Sequence, residues 1–328
     1  MHAANASGRT GAVELVGVAD AVEDVARSTG ERLDVAWTTS FDELLAMDVE
    51  GVLIATPTGA HAGMIECAAA AGKHVLCEKP IALDLDASVR AIERARSAGV
   101  KLQVGFHRRF DPDWAAVAAK IAAGELGDVY LFRTSLRDKR SPGAGYLEGS
   151  GGFFVDVSIH DLDTARWMVG EIDEVTAIGG ALSDPAFAEA GDLDNAVVTL
   201  RFTSGALGVI DNSRAAGYGY ECSTEVMGSL ATARIGYHRR VNVEWLTPGS
   251  QSVDWVNDFT ERYPDAYLLE LEGFAAAIRD DYEPAVGADD ALAAFVLADA
   301  CGRSFREGRP IRLEHENRGR EYEIATAR

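Results

Sequence analysis

From Val13 to Gly105, short β-branched runs alternate with alanine-rich stretches of helical period, the rhythm of a parallel sheet with crossover helices. VELVGVAD (13–20) predicts a strand, 21–28 a helix, LDVAW (33–37) a strand, and FDELLAM (41–47) a helix entered through Ser40. GVLIAT (51–56), HVLCE (74–78) and KLQVGF (101–106) predict three more strands, separated by helices at 60–71 and 85–98, the second stopping at Gly99. After Phe106 the period changes to two. EVTAIGGAL, NAVVTLRFTSGALGVIDNS and CSTEVMGSLATARIGYH fit antiparallel strands, with Thr203-Ser204-Gly205 and Gly228-Ser229 as hairpin turns. Helices are predicted near 155–169, 264–280 and 288–307. The expected class is α/β: a doubly wound parallel sheet over 1–105, then an α+β domain over 106–328 with one large open, mostly antiparallel sheet.

Length agrees, since 328 residues at about 150 per domain make two domains. Charge narrows the partners: 31 Lys plus Arg against 52 Asp plus Glu give −21, leaving no broad basic surface for a phosphate backbone. At 47% hydrophobic and 25% charged, the chain has the composition of a globular protein. It has no run of about 18 apolar residues to span a bilayer, and MHAANASGRTGAVE lacks the pattern of a signal peptide. The expected location is the cytoplasm, with neither nucleic acid nor membrane as partner. Cys67, Cys77, Cys222 and Cys301 form no C-x-x-C pair, which suits reduced thiols better than disulfides or structural zinc.

Candidate chemistry falls mostly at strand ends. Asp20 closes a predicted strand, where a carboxylate in a dinucleotide fold accepts hydrogen bonds from ribose hydroxyls and repels a 2′-phosphate, favouring NAD over NADP; strand ends also carry Asp for turns. ATPTGAH leaves the carboxyl end of the GVLIAT strand, offering Thr56 and Thr58 hydroxyls, Pro57 as a stiffener and His61, or simply a capped turn. Glu78-Lys79-Pro80 follows HVLCE, and an ammonium there can donate to a substrate hydroxyl and favour its alkoxide, or Lys79 is simply an exposed surface lysine.

The fullest constellation is GGFFVDVSIHDLDTARWMVG (151–170). A helix here puts Asp156 and His160 on one face with Asp163 close by, so that the imidazole can act as general base and a carboxylate can orient it. The alternatives are a partly buried helix whose His and Asp satisfy one another, and a divalent-metal site including His107; no metal is expected. His107 and Arg108 in GFHRRFDPDW either donate to a polyhydroxylated ligand or form a charged surface joint, and Tyr220 opens a later strand.

Taken together, ATPTGAH, AGKHVLCEKPIAL, VGFHRRFDP and GGFFVDVSIHDLDTARWMVG resemble, in order, the motifs of the glucose-fructose oxidoreductase/inositol dehydrogenase/rhizopine-catabolism (Gfo/Idh/MocA) family. The last two, with DNSRAAGYGYECSTEVMGS, look most like its myo-inositol 2-dehydrogenase branch. The resemblance implies a Rossmann domain, a C-terminal α/β domain with an open sheet, an active site between them, NAD as cofactor and a homo-dimer or homo-tetramer. It implies Lys79, Asp156 and His160 as catalytic triad: His160 takes the hydroxyl proton, Asp156 partners it and Lys79 polarises the hydroxyl. Cofactor contacts then fall to Asp20, Thr56, Pro57, Thr58, His61, Glu78 and Lys79. Polyol contacts fall to Lys79, His107, Arg108, Asp156, Val157, His160, Asp163 and Tyr220.

One departure stands out. The family opens with a strand, a G-x-G-x-x-G turn and a helix holding a His-Ala pair, whereas MHAANA resembles the middle of that helix. Gly8 and Gly11 are no substitute. The expectation is that the first strand and pyrophosphate loop are absent from this sequence through a late start or a truncation rather than true loss, and that the first strand's neighbours have unpaired backbone edges. The implied reaction is NAD-dependent oxidation of a secondary hydroxyl of a cyclic polyol, myo-inositol first, to a ketone. The alternatives are a pyranose dehydrogenase or reductase and a non-catalytic polyol-binding protein.

Overall fold

A computed structural model describes residues 1–147, 149–236 and 239–313, and the chain divides into two compact units. Met1–Asp111 and Pro264–Ala291 form unit 1, and Pro112–Tyr263 with the chain from Leu292 onward forms unit 2.

Unit 1 begins with α1 (His2–Gly8), β1 (Gly17–Ala19), α2 (Glu23–Leu33), β2 (Ala36–Thr38) and α3 (Phe41–Leu45). Ser40 caps α3 through its Oγ, accepting the Glu43 N–H at 3.3 Å. β3 (Gly51–Ile54), α4 (His61–Ala70), β4 (His74–Glu78), α5 (Leu85–Ser97) and β5 (Leu102–Gly105) follow. α5 starts at the Asp84 cap, buries Ser88, Ala91, Ile92 and Ala95 at helical spacing, and gives way to Gly99 at φ 68°, a conformation glycine adopts without strain. β4 is the central strand of β3-β4-β5, and Val75, Leu76 and Cys77 are buried in a row, as in a parallel strand covered on both faces. β1 and β2 pair in parallel as a separate sheet, Val18 opposite Trp37. Among the described residues no strand pairing joins β1 to β3.

Unit 2 opens with α6 (Pro112–Ala122), β6 (Val129–Arg137) and α7 (Ala144–Leu147). A π-helical turn at Phe154–Ser158 then runs into α8 (Ile159–Val169). Next come β7 (Ile172–Gly180), α9 (Pro185–Glu189), β8 (Asn195–Phe202), β9 (Leu207–Ser213), β10 (Glu221–Gly228), β11 (Thr232–Ile235), β12 (Arg239–Thr247), β13 (Ser250–Trp255) and α10 (Phe259–Arg262). The Thr203-Ser204-Gly205 turn joins β8 to β9, with Gly205 at φ 87°. Tyr237 and His238, at the end of the run read as a strand, lie outside the described residues.

The chain then returns to unit 1 with α11 (Pro264–Arg279) and the start of α12 (Ala288–Glu307), whose remainder and β14 (Ile311–Arg312) belong to unit 2. This differs from the continuous 106–328 domain expected from the sequence. The physical reason is packing: Leu271 and Phe274 of α11 bury against Leu76 of β4, with Leu53 and Ile278 at the margin. Phe274 also comes so near β3 that a Cβ on Gly51 would lie 3.2 Å from its ring.

The large sheet of unit 2 runs β11-β10-β6-β9-β8-β7-β14. Its β6–β9 pair is parallel and the others are antiparallel. β8 alternates strictly, burying Ala196, Val198, Leu200 and Phe202 and exposing the residues between. On the exposed side, Ile178 and Val197 stand opposite one another.

Candidate active site

In unit 1 the parallel strands bring three loops to one edge, the carboxyl ends of β3, β4 and β5. His61 ties the first two loops together. Its Nδ1 lies 2.8 Å from the Pro80 carbonyl oxygen and its Nε2 2.8 Å from that of Thr56. The buried ring therefore fixes Ala55–His61 against the Lys79-Pro80 step and shapes the loop instead of facing solvent. Pro57 precedes the short 3₁₀ turn Thr58–Ala60, and the Thr56 hydroxyl reaches Met64 Sδ at 3.4 Å.

The Glu78 carboxylate turns inward: Oε1 is 2.7 Å from His2 Nε2, and a Cβ on Gly105 would meet Oε2 at 2.8 Å. His107 and Arg108 sit on a 3₁₀ turn, His107–Phe110, and both are buried. His107 lies flat on Tyr267, 4.8 Å between centroids, so the surface-joint alternative does not hold. Asp20 follows β1 directly, exposed, its Oδ1 accepting the Val22 N–H at 2.9 Å. An exposed carboxylate at a strand end is the kind of group that can accept hydrogen bonds from ribose hydroxyls. The described residues contain no G-x-G-x-x-G turn for its pyrophosphate.

In unit 2 the segment carrying Asp156 and His160 is anchored at each end. Gly151 and Gly152 turn the chain at φ 80° and 87°, where a side chain would strain the backbone, and the Phe153 N–H donates to Asp192 Oδ1 at 2.9 Å. Inside the fold, Ser158 Oγ donates to Asn212 Oδ1 at 2.7 Å, Asn212 Nδ2 to Asp161 Oδ2 at 2.8 Å, and Thr134 Oγ1 to Asp161 Oδ1 at 3.0 Å. β6 and β9 thus clamp the start of α8 through a buried carboxylate that the sequence reading passed over. The π turn just before it is a distortion often found at functional sites, and it too was not legible from residue spacing.

Asp156 is held at both oxygens. Arg214 Nη1 stands 3.0 Å from Oδ2, and the Tyr146 hydroxyl donates to Oδ1 at 2.9 Å. Arg214 is 2% exposed and lies over the rings of Phe153 and Phe187, at 5.6 and 5.7 Å, with its Nε and Nη2 buried and without hydrogen bonds. Partial burial and the neighbouring Asp156 carboxylate raise the Tyr146 phenol above its ordinary pKa, so it remains a donor. Neither Tyr146 nor Arg214 was singled out from sequence; Arg214 lies in DNSRAAGYGYE, and the arginine in that motif was its only signal.

The other candidates are distributed as follows. Lys79 belongs to unit 1 while Asp156, Val157, His160, Asp163 and Tyr220 belong to unit 2. Val157 and Asp163 are buried, Asp163 within α8. Tyr220 is buried, its ring edge-on to Tyr263 at 6.3 Å. Cys77, Cys222 and Cys301 are buried free thiols and Cys67 an exposed one, and burial pushes the Cys77 thiol well up. Among the described residues no helix is long and apolar enough to cross a membrane.

Comparison with known proteins gives concordant results. The NAD-binding Rossmann-fold model of the GFO_IDH_MocA oxidoreductase family matches residues 1–106, and the family's C-terminal alpha/beta domain model matches 118–313. Inositol 2-dehydrogenase of Rhizobium meliloti is 40% identical over 315 residues, 95% of each chain. A crystal structure of a putative myo-inositol dehydrogenase from Sinorhizobium meliloti superposes with a TM-score of 0.92 at 39% identity, covering 95% of both chains. The scyllo-inositol dehydrogenase of Lactobacillus casei, solved with bound NAD(H) and scyllo-inositol, gives 0.89 at 30% identity, covering 95% of this chain and 94% of that one.

Proposed function

Because the chain belongs to the Gfo/Idh/MocA oxidoreductase family, we propose that it oxidises a secondary hydroxyl of a cyclic polyol, an inositol, to the ketone with NAD as cofactor. The observation that carries the proposal is Asp156, gripped by Arg214 and Tyr146 one helical turn from His160. Relatives of 37–40% identity named inositol or scyllo-inositol 2-dehydrogenase supply the substrate class.

His160 accepts the hydroxyl proton as the C–H bond breaks, and the carboxylate of Asp156 stabilises the imidazolium that forms. Lys79 donates to the same oxygen and lowers the energy of its alkoxide. When bound, NAD supplies the hydride acceptor. Asp20 would hold the adenosine ribose, and Thr56, Pro57, Thr58 and the backbone at Glu78 and Lys79 the nicotinamide half, with His61 fixing the loop that presents them. His107, Arg108, Val157, Asp163 and Tyr220 complete the polyol contacts.

The free cysteines and the use of NAD support a cytoplasmic location. The exposed apolar pair Ile178 and Val197 on the large sheet supports a homo-dimer or homo-tetramer. The test is reduction of NAD by the purified chain with a panel of inositols and pyranoses. Turnover with inositols supports the proposal. Turnover confined to pyranoses, or inositol binding without NAD reduction, contradicts it.

A further inference from the structure

Unit 1 holds a buried cluster of polar side chains to which the proposed oxidation gives no role. Glu270, in the middle of α11, has no solvent exposure, and neither of its carboxylate oxygens has a hydrogen-bond partner. A buried carboxylate in that condition is costly unless a proton or a cation neutralises it. The carboxylate of Glu78 belongs to the same cluster. His2 of α1 closes the group, with Nε2 against Glu78 Oε1 and with Nδ1 buried and unbonded.

The unsatisfied atoms are mostly acceptors. Gln103 donates from Nε2 to the Glu270 carbonyl at 2.9 Å, yet its own Oε1 is buried without a donor. A proton on Glu270 would remove its charge but bring no donor to its remaining oxygen. A cation would draw on several at once. One donor atom from each of His2, Glu78 and Glu270 lies within 4.8 Å of the others. Tyr267 walls the site, its ring edge-on to His2 at 5.1 Å.

We infer that His2, Glu78 and Glu270 form a binding site for a first-row divalent transition-metal ion, Zn²⁺ or Mn²⁺. One imidazole with two carboxylates is a donor set for such an ion rather than for Mg²⁺ or Ca²⁺, which favour oxygen alone. Metal–ligand bonds of ~2.0–2.2 Å put tetrahedral donors roughly 3.4 Å apart, so Glu270 closes inward and the His2–Glu78 contact opens slightly. The ion would tie three separate segments, the start of α1, the end of β4 and α11. Its role is structural, and the inference does not depend on the polyol reading.

The experiment takes the full chain, stripped with chelator and dialysed against Zn²⁺, Mn²⁺ or Co²⁺. Bound metal is counted by mass spectrometry, Co²⁺ is followed by its visible spectrum, and Tm is measured with and without metal. The expected result is one equivalent per chain, a Co²⁺ spectrum of mixed nitrogen and oxygen ligation, and a higher Tm with metal. Glu270→Gln, checked for fold by circular dichroism, should lose both the equivalent and the Tm rise; His2→Gln provides the same reading should the first variant fail to fold. No bound equivalent in the unmodified chain, or binding and a Tm rise undiminished in these variants, overturns the site.

Discussion

Arg214 Nη1 sits 3.0 Å from Asp156 Oδ2 and its buried guanidinium lies over the rings of Phe153 and Phe187, so the carboxylate proposed to partner His160 is itself held by a cation from the segment that follows β9. Breaking a buried pair of this kind leaves a charge without its partner, and the carboxylate then binds a proton more readily. Arg214→Met should lower kcat by about 10²-fold through misplacement of Asp156 and move the acid limb of the kcat/KM profile to higher pH. Arg214→Lys should recover part of both, and the Kd for NAD should stay put. A pH profile that does not move would deny Arg214 this positioning role.

Replacing His160 by Ala removes the proposed proton acceptor while leaving the anchors of α8, Ser158, Asp161 and Thr134, in place. The expected loss in kcat is roughly 10²–10⁴-fold, with the chain still folded and NAD affinity unchanged. Turnover at the original rate would remove His160 from the chemistry.

Asp20 is exposed just after β1, where a 2′-phosphate would meet a like charge. Asp20→Ser should shift the ratio of kcat/KM for NAD to that for NADP toward NADP by about tenfold or more. Steady-state kinetics with the two cofactors read this directly; an unchanged ratio would mean that the ribose lies elsewhere.

Asp194 predicts an acid sensitivity. Burial works against its charge, but the N–H groups of Leu182 and Ser183, the Ser183 hydroxyl and the Asn195 amide together hold its pKa well below the ordinary carboxylate value. With the folded pKa depressed, the stabilisation is fully present above the unfolded value of ~3.9 and is lost as pH falls through the folded one. Asp194→Asn should therefore cost about 1–3 kcal/mol near neutral pH, and its deficit in denaturant melts should narrow in acid. A deficit that stays constant with pH would contradict this.

How much of this could be read from the sequence depended on whether the signal was local. β4 runs from His74 to Glu78 as expected, because an unbroken apolar run has few other uses, and Ser40 caps α3 through its own hydroxyl. β1 is shorter than its sequence pattern, three residues from Gly17, since only that stretch finds a pairing partner in β2. The return of α11 to unit 1 was not legible, because a helical period says which face is apolar and not which sheet it covers. The same holds for the site. Asp156 and His160 share one segment and are visible as a pair, whereas Arg214 and Tyr146 reach Asp156 only through the folded chain. Glu270 gave no sequence signal; its burial and its neighbours His2 and Glu78 exist only in three dimensions.

The most direct test of the central claim is isotope transfer. The purified chain is incubated with NAD and myo-inositol deuterated at the carbon bearing the hydroxyl to be oxidised, and the cofactor is examined by mass spectrometry. The account predicts NADH carrying one deuterium, formed along with the ketone and abolished in His160→Ala. Inositol and NAD that both bind while the cofactor gains no deuterium would contradict it.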